Sequence, residues 1–242
     1  MSGTNSAASP GRRVVRVLST MLLAAGFLAL VWALVIWRWQ DPMTAVYTRW
    51  EQRKLSGQLE TLRATYAPRK ARLVAAVGKT PSPAAVKARK VAVQGLAERL
   101  RESTASGQAL GRIHVDRLGV DMILVDGTNH DALVRGPGVD RRTHLPGEGQ
   151  LVYVAGHRTT YGAPFAHIDR LRKGDLIEME MPYGSFVYRV TSHVIVPADD
   201  LARLRTRGRE ELILQACHPR FSARERYIVY AAPLPASAPI SE

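Results

Sequence analysis

The sequence is almost without cysteine. Among its 242 residues Cys217 stands alone, so no disulfide can form within the chain and a small disulfide-stapled fold is excluded. A structural zinc site is also unexpected, because no cysteines or histidines show ligand spacing apart from the adjacent Cys217 and His218. We therefore expect neither a metal nor another cofactor.

Acidic residues are scarce in the first part of the chain. Residues 1–107 carry 17 lysines and arginines against 5 acidic residues, whereas residues 108–242 carry 17 against 16. Nearly all of the formal net charge of +13 therefore lies in the first part. A nucleic-acid-binding domain would more often carry its positive charge on its folded surface. The distribution favours a basic membrane-proximal region beside a nearly neutral domain, with no nucleic acid among the partners.

Long hydrophobic runs are also few, but one stands near the N-terminus. Residues 17–37 contain no ionisable side chain, and as a helix they would span about 31 Å, enough for a hydrocarbon core of about 30 Å. Three arginines precede the run, and three tryptophans cluster towards its far end (Trp32, Trp37 and Trp39). We predict a transmembrane helix over residues 17–37, with residues 1–16 in the cytoplasm and the remainder outside the cell.

Two observations limit this prediction. Basic residues also follow the run (Arg38, Arg49, Arg53 and Lys54), so the charge rule alone does not orient it. A cleaved signal peptide is the alternative, but its apolar region normally spans about 7–15 residues and this run is longer. The sequence therefore favours an uncleaved anchor.

Residues 38–107 carry a helical pattern with a basic excess. Apolar residues recur at helical spacing in two sets (Leu55, Leu59, Leu62 and Tyr66, then Val86, Val93, Leu96 and Leu100). The Pro81-Ser82-Pro83 triplet separates them, and residues 103–107 are typical of a linker. We interpret the region as a two-helix stalk. Its basic excess would hold it against anionic lipid or wall polymer, or else the stalk is a solvated spacer.

From residue 108 to 234 short apolar stretches alternate with turn signals. The predicted strands include residues 113–115, 122–125, 151–155, 186–190, 212–216 and 227–231. Many short strands at this spacing predict an all-β sandwich or barrel. The absence of a Gly-rich phosphate loop and of a βαβ unit argues against a nucleotide-dependent enzyme. We place one domain over residues 108–234 and a C-terminal tail over residues 235–242.

Cys217 and His157 are the first candidates for chemistry. Cys217 ends an apolar strand and meets His218-Pro219, where a strand must stop, so its thiol would lie exposed at a barrel rim. A nucleophilic cysteine needs a base or a cation nearby. His157 follows the predicted strand 151–155 in the same way, whereas the side chain of His218 would point to the opposite face. The alternative is a buried, unreactive Cys217.

Two arginines, Arg224 and Arg226, follow the cysteine on the approach to the last predicted strand. The planar guanidinium can donate two hydrogen bonds to an oxyanion, which forms when a thiolate attacks an amide. Either arginine could instead be a solvated surface charge, and spacing alone does not separate the two.

Three separated segments resemble the sortases, the membrane-anchored cysteine transpeptidases of Gram-positive bacteria. They are residues 149–165 (GQLVYVAGHRTTYGAPF), the Gly174-Asp175 turn and residues 214–231 (LQACHPRFSARERYIVYA), and residues 133–147 are also similar. The Cys-His-Pro-Arg-Phe-Ser run and the N-terminal anchor are most similar to class E sortases of actinobacteria. The resemblance covers residues 110–232 and keeps the family's motif order.

The resemblance implies a closed β-barrel of about eight strands and a plasma-membrane enzyme of the cysteine peptidase class. By motif, Cys217 is the nucleophile, His157 the acid and base, and Arg226 the oxyanion stabiliser. The implied reaction cleaves a Leu-Pro-x-Thr-Gly or Leu-Ala-x-Thr-Gly sorting signal of a secreted protein between Thr and Gly. A thioacyl intermediate forms, and an amine of a peptidoglycan precursor resolves it.

One departure from the family concerns the residues before the cysteine. The family usually shows Thr-Leu-x-Thr-Cys, whereas this chain has Ile-Leu-Gln-Ala-Cys over residues 213–217, so both threonines are missing. We expect Ala216, together with Thr159 and Tyr161, to contact substrate.

Two alternatives to a wall-anchoring transpeptidase are a pilin-polymerising sortase and a catalytically weak, tethered β-domain that binds wall components. A papain-like hydrolase would need its cysteine on a helix, against the strand before Cys217.

Overall fold

The computed structural model describes residues 10–39, 42–75 and 82–234. Our predictions for the start of the N-terminal tail, for Pro81 and for the C-terminal tail lie outside these ranges, as do the side chains of Trp37 and Trp39. The chain divides into two compact units, Met1–Pro42 and Met43–Glu242.

The described part of the first unit is a long helix, α1 (Pro10–Trp39). Its segment Gly11–Val35 has a mean hydropathy of 2.2 and is long and apolar enough to cross a membrane. Large apolar side chains on all sides are exposed, such as Leu22 and Phe27. A helix that is apolar all round and unburied by protein is typical of a membrane span. The predicted N-terminal apolar helix is therefore present, and the helix itself begins before the predicted residue 17.

Eight strands of the second unit form one sheet in the part of the chain that the structure describes. They are β1 (Ala109–Val115), β2 (Val120–Asp126), β3 (Gly138–Val139), β4 (Leu151–Ala155), β5 (Leu176–Met181), β6 (Gly184–Pro197), β7 (Glu211–His218) and β8 (Glu225–Pro233). The sheet closes into a barrel in the order β1-β2-β3-β4-β7-β8-β6-β5, because β5 pairs with β1. The pairs β2–β3 and β4–β7 are parallel and the others antiparallel. The predicted closed β-barrel is confirmed.

Alternating side chains of β7 divide between the inside and the outside of the barrel. Leu212, Leu214 and Ala216 belong to the central apolar core. Ile213 belongs to a smaller apolar cluster with Tyr153 of β4 and residues of β6 and β8. Successive strand residues face opposite sides of a sheet, so this second cluster lies on the outer face. Gln215 and Cys217 share the outer face with Ile213.

Two helices, α2 (Pro42–Ala75) and α3 (Pro83–Ser103), precede the barrel and pack against it. Leu55 and Leu59 of α2 are about 1% exposed and contact a cluster that contains Ile123 of β2. Leu96 and Leu100 of α3 join the central core. Burying one leucine contributes roughly 1.5–3 kcal/mol. The helices predicted over residues 38–107 are confirmed, but the solvated-spacer interpretation is wrong, since their apolar faces cover the barrel.

Both ends of α3 are held by local hydrogen bonds. Ser82 caps the helix by accepting a hydrogen bond from Ala85 N at 3.2 Å, and Pro83 occupies the first turn, where a missing N–H costs nothing. After α3, the Thr104 hydroxyl donates to Leu100 O at 2.7 Å. Gly107 N donates to Asp126 O at 2.7 Å. Ser103 is therefore the last residue of α3, and residues 104–107 of the predicted linker form a turn that hydrogen bonds hold in place.

Candidate active site

The pairing register of β4, β7 and β8 brings three predicted residues together. In the parallel pair, Ala155 of β4 is level with Gln215 of β7, and His157 and Cys217 each follow two residues later. In the antiparallel pair, Cys217 lies directly opposite Arg226 of β8. Residues two apart share a face of a strand. His157, Cys217 and Arg226 accordingly line the same cavity.

This cavity lies on the outer face of the barrel and has a volume of about 250 Å³. Leu133, Val196 and Ile228 give it apolar walls, and Asp140, Arg142 and Tyr153 add polar groups. Burial raises the pKa of the Tyr153 phenol, so this group stays neutral. Apolar walls with a few fixed polar groups are typical of a site that binds an organic ligand such as a peptide.

Cys217 is half-buried near the end of β7, and its main chain is held by Arg158. The buried Arg158 donates from Nη1 to Cys217 O at 3.3 Å and to His218 Nδ1 at 2.9 Å. Its Nη2 pairs with Asp169 at 3.1 Å. Because His218 Nδ1 accepts this bond, the neutral His218 ring carries its proton on Nε2. Sequence reasoning missed Arg158, whose position after His157 gave no sign of these contacts.

His157 is half-buried beside the cavity. Burial lowers its pKa, and the nearby His130 lowers the pKa further. Its Nε2 atom is buried and makes no hydrogen bond to any described residue. The Tyr161 ring packs on the imidazole, with the two centroids 5.0 Å apart. A neutral imidazole at neutral pH can take a proton from a thiol and pass it to a leaving group.

Of the two candidate arginines, the structure places Arg226 at the cavity. Its Nη1 donates to Ala223 O at 2.8 Å and to Glu225 O at 3.1 Å, which fixes the guanidinium against the turn before β8. Arg224, which spacing alone did not separate from Arg226, is exposed and does not line the cavity. A fixed cation opposite Cys217 suits the stabilisation of negative charge on an attacked carbonyl oxygen.

The three predicted substrate contacts do not line the cavity. Ala216 is fully buried in the central core, because strand alternation turns it inward when Cys217 turns outward. The expectation that Ala216 contacts substrate is therefore corrected. Thr159 and Tyr161 lie half-buried in the loop after β4, outside the cavity lining. Tyr161 contacts the His157 ring instead.

An ion pair on the cavity wall was also missed. Asp140 accepts hydrogen bonds from Arg142 Nη2 at 2.7 Å and from the Thr128 hydroxyl at 3.0 Å. Burial acts to raise the pKa of Asp140, but these bonds outweigh it and hold the pKa below its ordinary value. The two residues stand two apart in an irregular loop, where periodicity gives no signal. Among the described residues, no cluster of three or more His, Cys, Asp or Glu that could hold a metal is found.

Comparisons with known proteins agree on one family. The family model described as "Sortase domain" matches residues 113–234, half of the chain. Sortase D of Bacillus subtilis is 34% identical over 130 residues, which are 52% of this chain and 64% of that protein, less than two thirds of its length.

Solved structures give the same result. Sortase E1 of Streptomyces coelicolor, with a tripeptide in its active site, is 25% identical with a TM-score of 0.51, over 55% of this chain and 92% of that one. A sortase D5 transpeptidase of Clostridium perfringens is 24% identical with a TM-score of 0.53, over 59% of this chain and 89% of that one, which shows the shared barrel fold. Relatives of classes D and E both occur, so class E stays a prediction.

Proposed function

Because the chain belongs to the sortase family, we propose that it is a cysteine transpeptidase that cleaves a C-terminal sorting signal and joins the cleaved protein to a cell-wall amine. The observation that carries the proposal is the convergence of His157, Cys217 and Arg226 on one cavity. These side chains provide a nucleophile, a proton carrier and a fixed cation, which are the groups that acyl transfer from an amide needs.

In the first half of the reaction, the Cys217 thiol gives its proton to His157 and the sulfur attacks the carbonyl carbon between Thr and Gly. Arg226 donates hydrogen bonds to the oxyanion of the tetrahedral intermediate. The C–N bond then breaks, and His157 passes the proton to the departing amine. The products are a thioester on Cys217 and a free peptide that begins with Gly.

In the second half, an amine attacks the thioester carbonyl. His157 takes the amine's proton, Arg226 again stabilises the oxyanion, and the Cys217 sulfur leaves and recovers the proton. An amide bond forms between the threonine carboxyl group and the acceptor. Water resolves the same thioester to a free acid, so transpeptidation needs an amine that reacts faster than water.

We propose a Leu-Pro-x-Thr-Gly or Leu-Ala-x-Thr-Gly signal as the substrate. The apolar walls that Leu133, Val196 and Ile228 give the cavity suit the leucine of either signal. The likeness to sortase E1, whose structure holds a tripeptide in the active site, supports an extended peptide as ligand. The acceptor is an amine of a peptidoglycan precursor, and the protein substrates are secreted proteins that carry the signal.

We also propose that α1 anchors the enzyme in the plasma membrane with its N-terminus in the cytoplasm. Arg12, Arg13 and Arg16 precede most of the apolar segment, and the basic residues after it do not oppose this orientation, because long domains cross the membrane largely regardless of their charge. The apolar run over residues 17–37 is longer than the apolar region of a signal peptide. The unit that begins at Met43 would then act outside the cell, where sorting signals and wall amines meet.

The test uses the full chain in detergent micelles with each signal peptide and triglycine as the amine. We expect mass spectrometry to detect the peptide cut after Thr and joined to triglycine, and no product with Cys217→Ala. A product that forms with the lysine side chain of a folded pilin protein but not with triglycine would favour the pilin-polymerising alternative. No product with any acceptor would favour the tethered β-domain and contradict the proposal.

A further inference from the structure

Three consecutive residues beside the candidate active site adopt left-handed backbone conformations. The φ angles are 52° at Tyr161, 69° at Gly162 and 38° at Ala163. Glycine adopts this conformation freely, but tyrosine and alanine do so at a cost, because Cβ crowds the following carbonyl oxygen. Strained residues of this kind persist only where surrounding contacts hold them, and they occur often at functional sites.

The contacts that hold this turn come from α2, a helix more than a hundred residues earlier in the sequence. Thr44 Oγ1 accepts a hydrogen bond from Tyr161 N at 2.8 Å. Thr48, one helical turn later, lies against Gly162, where an added Cβ would sit 3.5 Å from the Thr48 methyl group. The Thr48 hydroxyl donates to Val134 O at 3.0 Å. The first turns of α2 therefore contact the loop that follows His157 and hold it in place.

This left-handed turn holds the aromatic ring of Tyr161 against His157. The Tyr161 ring lies 5.0 Å from the His157 ring, centroid to centroid, at an interplanar angle of 41°. The Tyr161 ring also makes a T-shaped contact with the ring of His130, the first residue of the short helix α4 (His130–Leu133), with the centroids 5.9 Å apart. The position of Tyr161 therefore bears directly on the orientation and the water exposure of the His157 imidazole.

We propose that Thr44 is a positioning residue for His157. The Thr44 hydroxyl group holds the left-handed turn at Tyr161 and thereby fixes the His157 imidazole in the cavity. Thr44 does not line the cavity and acts through Tyr161. The kinetic consequence rests on the proposed transpeptidase function, whereas the effect on the titration of His157 does not. The two consequences can therefore be tested separately.

The direction of the titration effect follows from the surroundings of His157. Burial is the largest cause of its lowered pKa, and His130 of α4 is the second. Cys217 of β7 and Arg226 of β8 line the same cavity. Releasing the turn would admit water to the imidazole, which favours its charged form. The pKa of His157 should therefore rise towards that of an ordinary histidine.

The experiment replaces the hydroxyl without changing the shape of the side chain. In full chain labelled with ¹³C-histidine in micelles, Thr44→Val should raise the pKa of His157 measured by NMR, with the signal assigned through His157→Gln. The value of kcat should fall on the order of tenfold while KM changes less, because a misplaced catalytic group slows chemistry more than binding. Thr44→Ser keeps the acceptor and should behave as wild type.

The matched control is Thr61→Val, the same substitution at an exposed position of α2 whose hydroxyl donates to Gly57 O. It should leave both measurements unchanged. Tyr161→Gly removes the ring and the strain together, so adding Thr44→Val to it should cause no further change in the His157 pKa.

The proposal is overturned if Thr44→Val leaves the His157 pKa unchanged, or if Thr44→Ser is as strongly affected as Thr44→Val. A wild-type enzyme that joins no peptide, combined with a raised His157 pKa in Thr44→Val, would instead overturn the proposed function and support the positioning role.

Discussion

Cys217 and Arg226 face each other across the antiparallel pair of β7 and β8. Directly opposed residues send their side chains to the same face of a sheet, so this register alone sets a cation beside the thiol. His157 reaches the same face through the parallel pair of β4 and β7. Three neighbouring strands of a closed barrel thus fix the relative positions of the nucleophile, the proton carrier and the cation.

Arg226 should be needed for turnover and not for folding. Arg226→Met removes the oxyanion donor and should lower kcat/KM by about 10²–10³-fold. Arg226→Lys keeps the charge but lacks the planar fork, so its value should lie between those of wild type and Arg226→Met. The exposed Arg224→Met is the control and should stay close to wild type. Peptide-joining kinetics provide the measurement, and an Arg226→Met enzyme within a few-fold of wild type would refute the assigned role.

The low pKa of His157 should make stability depend on pH. Its folded pKa lies below the ordinary value, which is about 6.5. When pH falls below the ordinary pKa, the unfolded state binds a proton at His157 before the folded state does. Stability is therefore lost as pH falls from the ordinary pKa of the unfolded state to the lower pKa of the folded state. His167, whose pKa burial also lowers, contributes in the same direction.

His157→Gln should therefore lose less stability than wild type when pH drops from about 7.5 to about 5.5. Urea unfolding of the full chain in micelles at the two pH values measures the difference. Equal losses in the two proteins would show that His157 is not buried in its neutral form.

Leu100 should stabilise the barrel although it lies on a helix. Leu100 is fully buried in the central core, and Leu100→Ala should cost about 2–5 kcal/mol of unfolding free energy. On the same helix, Val91 is 60% exposed, and Val91→Ala should change the free energy by at most about 0.5 kcal/mol. Hydrogen exchange at the amides of β7 and β8 measures the change in unfolding free energy of each variant. Equal protection in the two variants would mean that α3 is a spacer after all.

Arg158 should matter through the strand that carries the thiol. Arg158→Met removes the bonds to Cys217 O, His218 and Asp169, and hydrogen bonds of a charged group contribute about 1.5–3 kcal/mol. We expect lower stability together with slower acylation of Cys217, measured by urea unfolding and by single-turnover mass spectrometry. A variant that is destabilised but acylates at the wild-type rate would show that Arg158 serves the fold alone.

Sequence periodicity predicted six of the eight described strands and missed β3 and β5. The predicted strand 151–155 coincides with β4, and the predicted strand 212–216 lies within β7. β5 was missed, because glutamate and methionine alternate in it and neither favours strands. Its buried residues Ile177 and Met179 follow the period of two, but the closure of β5 on β1 depends on pairing with a distant strand.

The site was predictable where a local signal existed. Cys217 and His157 each follow an apolar strand, whereas spacing did not separate Arg226 from Arg224. Arg226 was predicted from the family motif, and the register of β7 and β8 places it opposite Cys217. Arg158 contacts Cys217 across 59 residues of sequence, and Thr44 contacts Tyr161 across 117. Spacing along the chain carries no information about contacts of that range, since tertiary packing creates them.

The central claim is that the Cys217 sulfur becomes acylated by a sorting signal. Full chain in micelles, mixed with a Leu-Pro-x-Thr-Gly or Leu-Ala-x-Thr-Gly peptide and quenched in acid, would be digested and mapped by mass spectrometry. The account predicts a thioester to the threonine carboxyl group on the peptide that contains Cys217, which disappears when triglycine is added. A wild-type enzyme that releases Gly from the signal without any adduct on Cys217, or that cleaves equally well as Cys217→Ala, would contradict it.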